Sequence, residues 1–214
     1  MHVLLVAATA RELDAIPAEA PGPVTRLVTG VGMVATAVHL SRVLAQTPPD
    51  LVLNVGLCGV FSRRWPVGTV VHVTSDRCSE LGVEDGAAFV PADACGLLDP
   101  DAPPYTRSVL INAQPPASPT LASLPVARGI TVNTVHGDPA TIGAVVERLA
   151  PDVESMEGAA VMYACLTAGV PFAQVRAISN DVERRNRAAW RIDDALSALA
   201  PVTAAILADV QSPR

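Results

Sequence analysis

Short apolar runs alternate with longer stretches of helical period along most of the chain. Runs at 3–8, 24–29, 51–55, 69–74, 129–135 and 172–179 are rich in β-branched residues and bounded by Gly, Pro or polar residues. Continuous apolarity over so few residues predicts strands buried on both faces, as in a parallel sheet. Residues 34–46 place Val34, Ala37, Val38, Leu44 and Ala45 along one side and stop before Pro48-Pro49, which predicts a helix. Residues 141–149 and 156–168 predict two more, the second apolar all round and ended by Gly169 as a C-terminal cap. A last helix is expected from near Asn186 toward Asp209, kinked or restarted at Pro201. This alternation predicts a three-layer α/β/α fold with a central mixed, mostly parallel sheet. The segment 91–125 holds eight prolines and little periodicity, so loop and edge structure is expected there. Neither flank carries a complete strand set, and one domain over residues 1–214 is the expectation.

Composition then removes whole classes of chemistry. The 214 residues include fifteen arginines and no lysine. Schiff-base enzymes, P-loop NTPases and kinases of the usual kind all need a lysine. A net charge of −6 leaves no electrostatic footprint for nucleic acid or an anionic membrane surface. Cys58, Cys78, Cys95 and Cys165 lack C-x-x-C spacing, and the four histidines form no H-E-x-x-H pair. Reduced thiols, no metal and a cytoplasmic location are expected. The opening MHVLLVAATA imitates a secretory signal but has no Lys or Arg before its short apolar run, and a buried first strand explains it better. No uncharged apolar stretch approaches the ~18 residues of a membrane span.

Four glycine-containing segments follow predicted strands, where open α/β sheets bind ligands. Gly30-Val-Gly-Met-Val-Ala35 matches G-x-G-x-x-A, but the acid that a dinucleotide site needs after the next strand is missing, since Asp50 precedes that strand. In Asn54-Val-Gly56-Leu-Cys-Gly59, small residues permit close approach of a ligand, and Cys58 reads as a structural thiol. In Glu154-Ser-Met156-Glu157-Gly-Ala-Ala, helix capping accounts for Glu154. Glu157, set among Met, Gly and Ala, heads inward and needs a partner, for which sugar hydroxyls would serve. Asn180-Asp181 ends the last apolar run, either as a turn or as polar groups delivered to a site. Glu12 follows the first strand and by itself reads as an exposed loop acid.

Taken together and in this order, Glu12, G-V-G-M-V-A, N-V-G-L-C-G, H-G-D at 136–138, M-E-G-A-A and V-R-A-I-S-N resemble the purine nucleoside phosphorylase and methylthioadenosine/S-adenosylhomocysteine nucleosidase superfamily. E-S-M-E-G-A-A and the stretch 179–190 are most similar to its futalosine hydrolases, enzymes of menaquinone biosynthesis. The resemblance implies a cofactor-free N-ribosyl hydrolase acting on a small nucleoside, commonly a homo-oligomer. It implies that Glu12 activates water, and that Met156 and Glu157 hold the ribose. It further implies that Asn180 meets the purine where adenine-specific relatives carry aspartate. An amide can donate to a 6-oxo group, which favours hypoxanthine over adenine. Bacterial phosphorylases carry an arginine and a serine where this chain has Asn54 and Leu57, so water rather than phosphate is the implied nucleophile. The aromatic residue that covers the purine in nucleosidases has no counterpart after H-G-D, leaving Phe89 by elimination. The substrate's benzoate-bearing arm calls for a cation, with Arg184, Arg185 and Arg187 beside Trp190 as candidates; those arginines equally suit a solvated helix start.

Overall fold

The computed structural model describes residues 1–61, 64–86 and 88–212. In chain order its elements are β1 (Val3–Ala7), α1 (Ala10–Asp14), β2 (Val24–Val28), α2 (Met33–Gln46), β3 (Leu51–Val60), β4 (Val70–Asp76), β5 (Gly82–Asp85), β6 (Ala88–Pro91), β7 (Leu110–Ile111), α3 (Pro119–Ser123), β8 (Val126–Thr131), α4 (Pro139–Leu149), β9 (Val153–Ser155), α5 (Gly158–Ala168), β10 (Phe172–Asp181) and α6 (Ile192–Gln211). A 3-10 turn covers Arg187–Ala189.

The layers follow from strand alternation. Leu4 and Val6 of β1 face one side, where Leu40 and Leu44 of α2 and Met162 and Cys165 of α5 pack. Val3, Leu5 and Ala7 face the other, against Leu13 of α1 and Leu199 and Ile206 of α6. Both faces of β1 are therefore buried, which is why its sequence is apolar without a break. The sheet is mixed, as expected: β2, β1, β3 and β10 run parallel, and β10 meets β4 antiparallel.

The sheet also closes on itself, which periodicity did not foretell. From β4 it continues through β8 to β9, and β9 pairs antiparallel with the end of β3. The closure needs β3 to run through Gly59 and Val60 rather than stop at Val55. N-V-G-L-C-G is thus strand, not a turn after one. Two helices begin later than the pattern predicts. Met156 and Glu157 stay outside α5, which starts at Gly158, where a Cβ would collide with the carboxylate of Asp76. α6 starts at Ile192 and passes through Pro201 without a break. Past Pro91, where β6 ends, the rest of 91–125 forms only β7 and the short α3, capped by Ser118, whose hydroxyl accepts from Leu121 N at 3.0 Å. Among the described residues no helix is long and apolar enough to cross a membrane.

Candidate active site

A cavity of about 390 Å³ opens where β1, β3, β9 and β10 end, joined by the loop at 135–137. Glu12, Met156, Glu157 and Asn180 all line it.

Glu12 is fixed by a local device. Thr9 caps α1, and Glu12 is the third helical residue of a capping box: its amide donates to Thr9 Oγ1, and its Oε2 accepts from Thr9 N at 2.9 Å. Thr9 Oγ1 also donates to that oxygen at 2.8 Å, and Leu57 N donates to Oε1 at 3.2 Å. These bonds turn the carboxylate inward, so that Glu12 is only 9% exposed. It is a buried acid, not the exposed loop acid its position suggests.

Glu157 precedes α5 and bonds across the cavity floor: Gly32 N donates to its Oε1 at 3.0 Å. Gly32 sits at φ +94°, a left-handed conformation that suits glycine and aims its N–H at the carboxylate. The G-x-G turn before α2 therefore receives a carboxylate where a dinucleotide site would hold pyrophosphate. Burial raises the proton affinity of Glu157, while the Arg176 guanidinium and the Gly32 N–H oppose that rise. Met156 lies beside it, packed on Ile130, Val132 and Val145.

Asn180 follows a register shift in β10 at Ile178/Asn180, which turns its side chain to the cavity edge. Its Oδ1 accepts from Ser179 Oγ at 2.8 Å and its Nδ2 donates to Asp181 O at 2.9 Å. Each atom keeps one further hydrogen-bonding position. Glu154 does not cap α5. It belongs to β9, and its Oε2 lies 2.7 Å from His136 Nδ1. Cys58 also lines the cavity, but burial pushes its thiol up to about 12, as expected of a structural thiol.

The Phosphorylase superfamily model matches residues 18–211. The chain is 32% identical to the futalosine hydrolase of Streptomyces coelicolor over 93% of this chain and 92% of that protein. It is 35% identical to the futalosine hydrolase of Thermus thermophilus, covering 86% and 80% of the two. The chain belongs to the futalosine hydrolase branch of the phosphorylase superfamily. The same fold occurs in the methylthioadenosine/S-adenosylhomocysteine nucleosidase of Colwellia psychrerythraea, solved with adenine. That structure superposes with a TM-score of 0.78 at 17% identity, over 98% of this chain and 96% of that one.

Side-chain positions separate the remaining candidates. Arg184, Arg185 and Arg187 are all exposed, and of the three Arg185 lines the cavity, together with Trp190. The chain from Val182 to Arg191, irregular apart from the 3-10 turn that holds Arg187, sets these directions, and Arg185 packs against Gly137 of the H-G-D loop. Phe89 is not at the site either. It sits on β6 with the Arg148 guanidinium 4.2 Å from its ring centroid. Gly56 lies beneath the cavity rather than on its wall. A methyl there would collide with Arg176 Nη1 and come 2.8 Å from Glu12 Oε1.

Arg176 is the residue that sequence reasoning missed. It pairs in register with Gly56 and is 1% exposed, with Nε and Nη2 lacking partners among the described residues. A charge inside an apolar strand is itself a signal, because a buried guanidinium must be offset by carboxylates nearby. Here its charge bears on Glu157 and on buried Asp76. Asp76 in turn accepts from Thr131 Oγ1 at 2.9 Å and from Gln174 Nε2 at 3.0 Å, under the start of α5.

Proposed function

We propose that this chain, as one domain spanning residues 1–214, hydrolyses the N-ribosidic bond of futalosine and releases hypoxanthine and dehypoxanthine futalosine, a step of menaquinone biosynthesis. The observation that carries the reading is that Glu12, Met156, Glu157 and Asn180 line one cavity. Glu12 approaches Gly56 and Asn180 approaches Gly59, two positions of the same strand β3. The futalosine hydrolases that the chain resembles support the same substrate.

Cleavage passes through an oxocarbenium-like ribose. In the proposed mechanism Glu12 orients a water on one face of the sugar and takes its proton. Met156 packs on the ribose, and the free oxygen of Glu157 accepts from its hydroxyls. Arg176 favours the ionised form of Glu157 against the cost of its burial. On the far side N7 takes a proton from solvent water, and Asn180 Oδ1 accepts the resulting N7–H while its NH2 donates to O6. The bonding pair leaves with the base, so that hypoxanthine departs neutral; the proton that Glu12 takes from the attacking water returns to solvent. Carboxylates, an amide and water suffice for these steps. A cytoplasmic homo-oligomer is part of the reading; Val34 and Val38 of α2 face outward near cavity-lining Val31, which supports a partner surface there.

The deciding experiment is chromatographic detection of hypoxanthine from futalosine, with and without phosphate. Release independent of phosphate is expected. Release only with phosphate makes the protein a phosphorylase, and equal turnover of methylthioadenosine makes it an adenine nucleosidase. The same reading assigns Arg185, beside Trp190, to the carboxylate of the benzoate arm. Charged hydrogen bonds contribute about 1.5–3 kcal/mol. Arg185→Ala should therefore raise KM for futalosine roughly 10–100-fold and leave hydrolysis of inosine, which lacks the arm, nearly unchanged. Equal losses on both substrates would remove Arg185 from that role.

A further inference from the structure

His136 and Glu154 form a pair on the cavity wall that the mechanism above does not use. Glu154 holds the histidine twice: Oε1 accepts from the His136 backbone N–H at 3.2 Å, and Oε2 lies 2.7 Å from Nδ1. The Phe61 ring meets the imidazole edge-on, with centroids 6.0 Å apart. The imidazole is thus held at both its ring and its backbone. A carboxylate only accepts, so Nδ1 carries the proton and, in the neutral ring, Nε2 is left with its lone pair. Nε2 has no hydrogen-bond partner among the described residues, and His136 lines the cavity. The pair also adjoins Asn180: a Cβ on Gly59 would lie 3.2 Å from Asn180 Nδ2 and 3.6 Å from Glu154 Cγ.

We propose that His136, set by Glu154 as a hydrogen-bond acceptor at Nε2, reads the N1–H of a 6-oxopurine beside Asn180. This rests on the reading of the site as a purine N-ribosyl hydrolase. A 6-oxopurine carries a hydrogen on N1, which the Nε2 lone pair accepts. A 6-aminopurine presents a bare N1, and two lone pairs then face each other. His136 is a specificity-determining residue in this scheme, and Glu154 is a positioning residue acting through the ring tautomer.

Glu154→Gln tests the tautomer directly. The His136 backbone N–H can only donate, so it claims the amide oxygen of the new side chain. The NH2 is left facing Nδ1, which must become the acceptor, and the ring proton moves to Nε2. Turnover is measured on futalosine and on its analogue carrying adenine in place of hypoxanthine. The ratio of kcat/KM, 6-oxo over 6-amino, should fall at least tenfold in Glu154→Gln, with activity on the 6-amino analogue kept or raised. His136→Phe, which keeps an aromatic ring and loses the nitrogen, should also lower the ratio, without favouring the 6-amino analogue. A general structural defect lowers both activities together and leaves the ratio alone. A ratio within threefold of wild type in either folded variant overturns the proposal, and any larger fall supports it. If Glu154→Gln does not fold, as judged by circular dichroism, His136→Phe decides alone. Wild-type protein that releases no hypoxanthine overturns the underlying reading as well; wild-type activity with an unmoved ratio overturns this inference only.

Discussion

Replacing Glu12 with Gln is expected to lower kcat on futalosine by about 10²–10⁴-fold, the range for losing a positioned general base, while KM stays within a few-fold of wild type. The amide cannot take a proton from water, yet it keeps the size and reach of the carboxylate. Its structural cost is bounded by the bonds Glu12 makes. Glutamine serves at this position of a capping box, so its oxygen can still accept from Thr9 N and Oγ1, as Glu12 Oε2 does. The NH2 then faces Leu57 N–H, which now donates to Oε1. Two opposed donors cost about 1–3 kcal/mol, or a few degrees in Tm for a chain of this size. A large kinetic loss with a small thermal one is the signature of a base. A kcat within threefold of wild type, measured under saturating substrate, would leave Glu12 as a helix cap and nothing more.

How much of this arrangement can be read from the chain depends on whether the determinant is local. The apolar run of β1, the cap at Gly169 and the stop of α2 before Pro48-Pro49 each follow from neighbouring residues, and the structure has them where the pattern puts them. Thr9-x-x-Glu12 is a local signature too, and it could have marked Glu12 as the inward member of a capping box. Glu157 was legible as a buried acid in want of a partner, though not that Gly32, distant in sequence, would supply one. The rest depends on register. Gly56 and Arg176 meet only because β3 and β10 pair, and Glu154 reaches His136 only because β9 joins the closed sheet. Neither pairing leaves a trace in hydropathy. Arg185 rather than Arg184 or Arg187 faces the cavity because of an irregular segment, where no period sets the direction of a side chain.

Gly56 concentrates these non-local contacts, and Gly56→Ala is expected to lower kcat at least about 10²-fold, the scale of a misplacement near 1 Å. The conformation of Gly56 is not the issue, since it lies in the middle of β3. What matters is the space over its Cα, which Arg176 Nη1 and Glu12 Oε1 occupy together. A methyl there forces one of three responses. Arg176 can move, but it is 1% exposed and enclosed by the sheet. Glu12 can move, at the expense of its bond from Leu57 N. The strand can shift, which disturbs its pairing with β10. Each response displaces the proposed base or the cation that sustains Glu157. Overpacking of this kind also costs about 1–3 kcal/mol of stability, so a matched control is needed. Gly143 in α4 has nothing within 4 Å of a built Cβ. Gly143→Ala should raise stability by roughly 0.5–1 kcal/mol and leave turnover unchanged. If Gly56→Ala turns over futalosine at the wild-type rate, Arg176 and Glu12 have room to separate, and the site does not depend on their close approach.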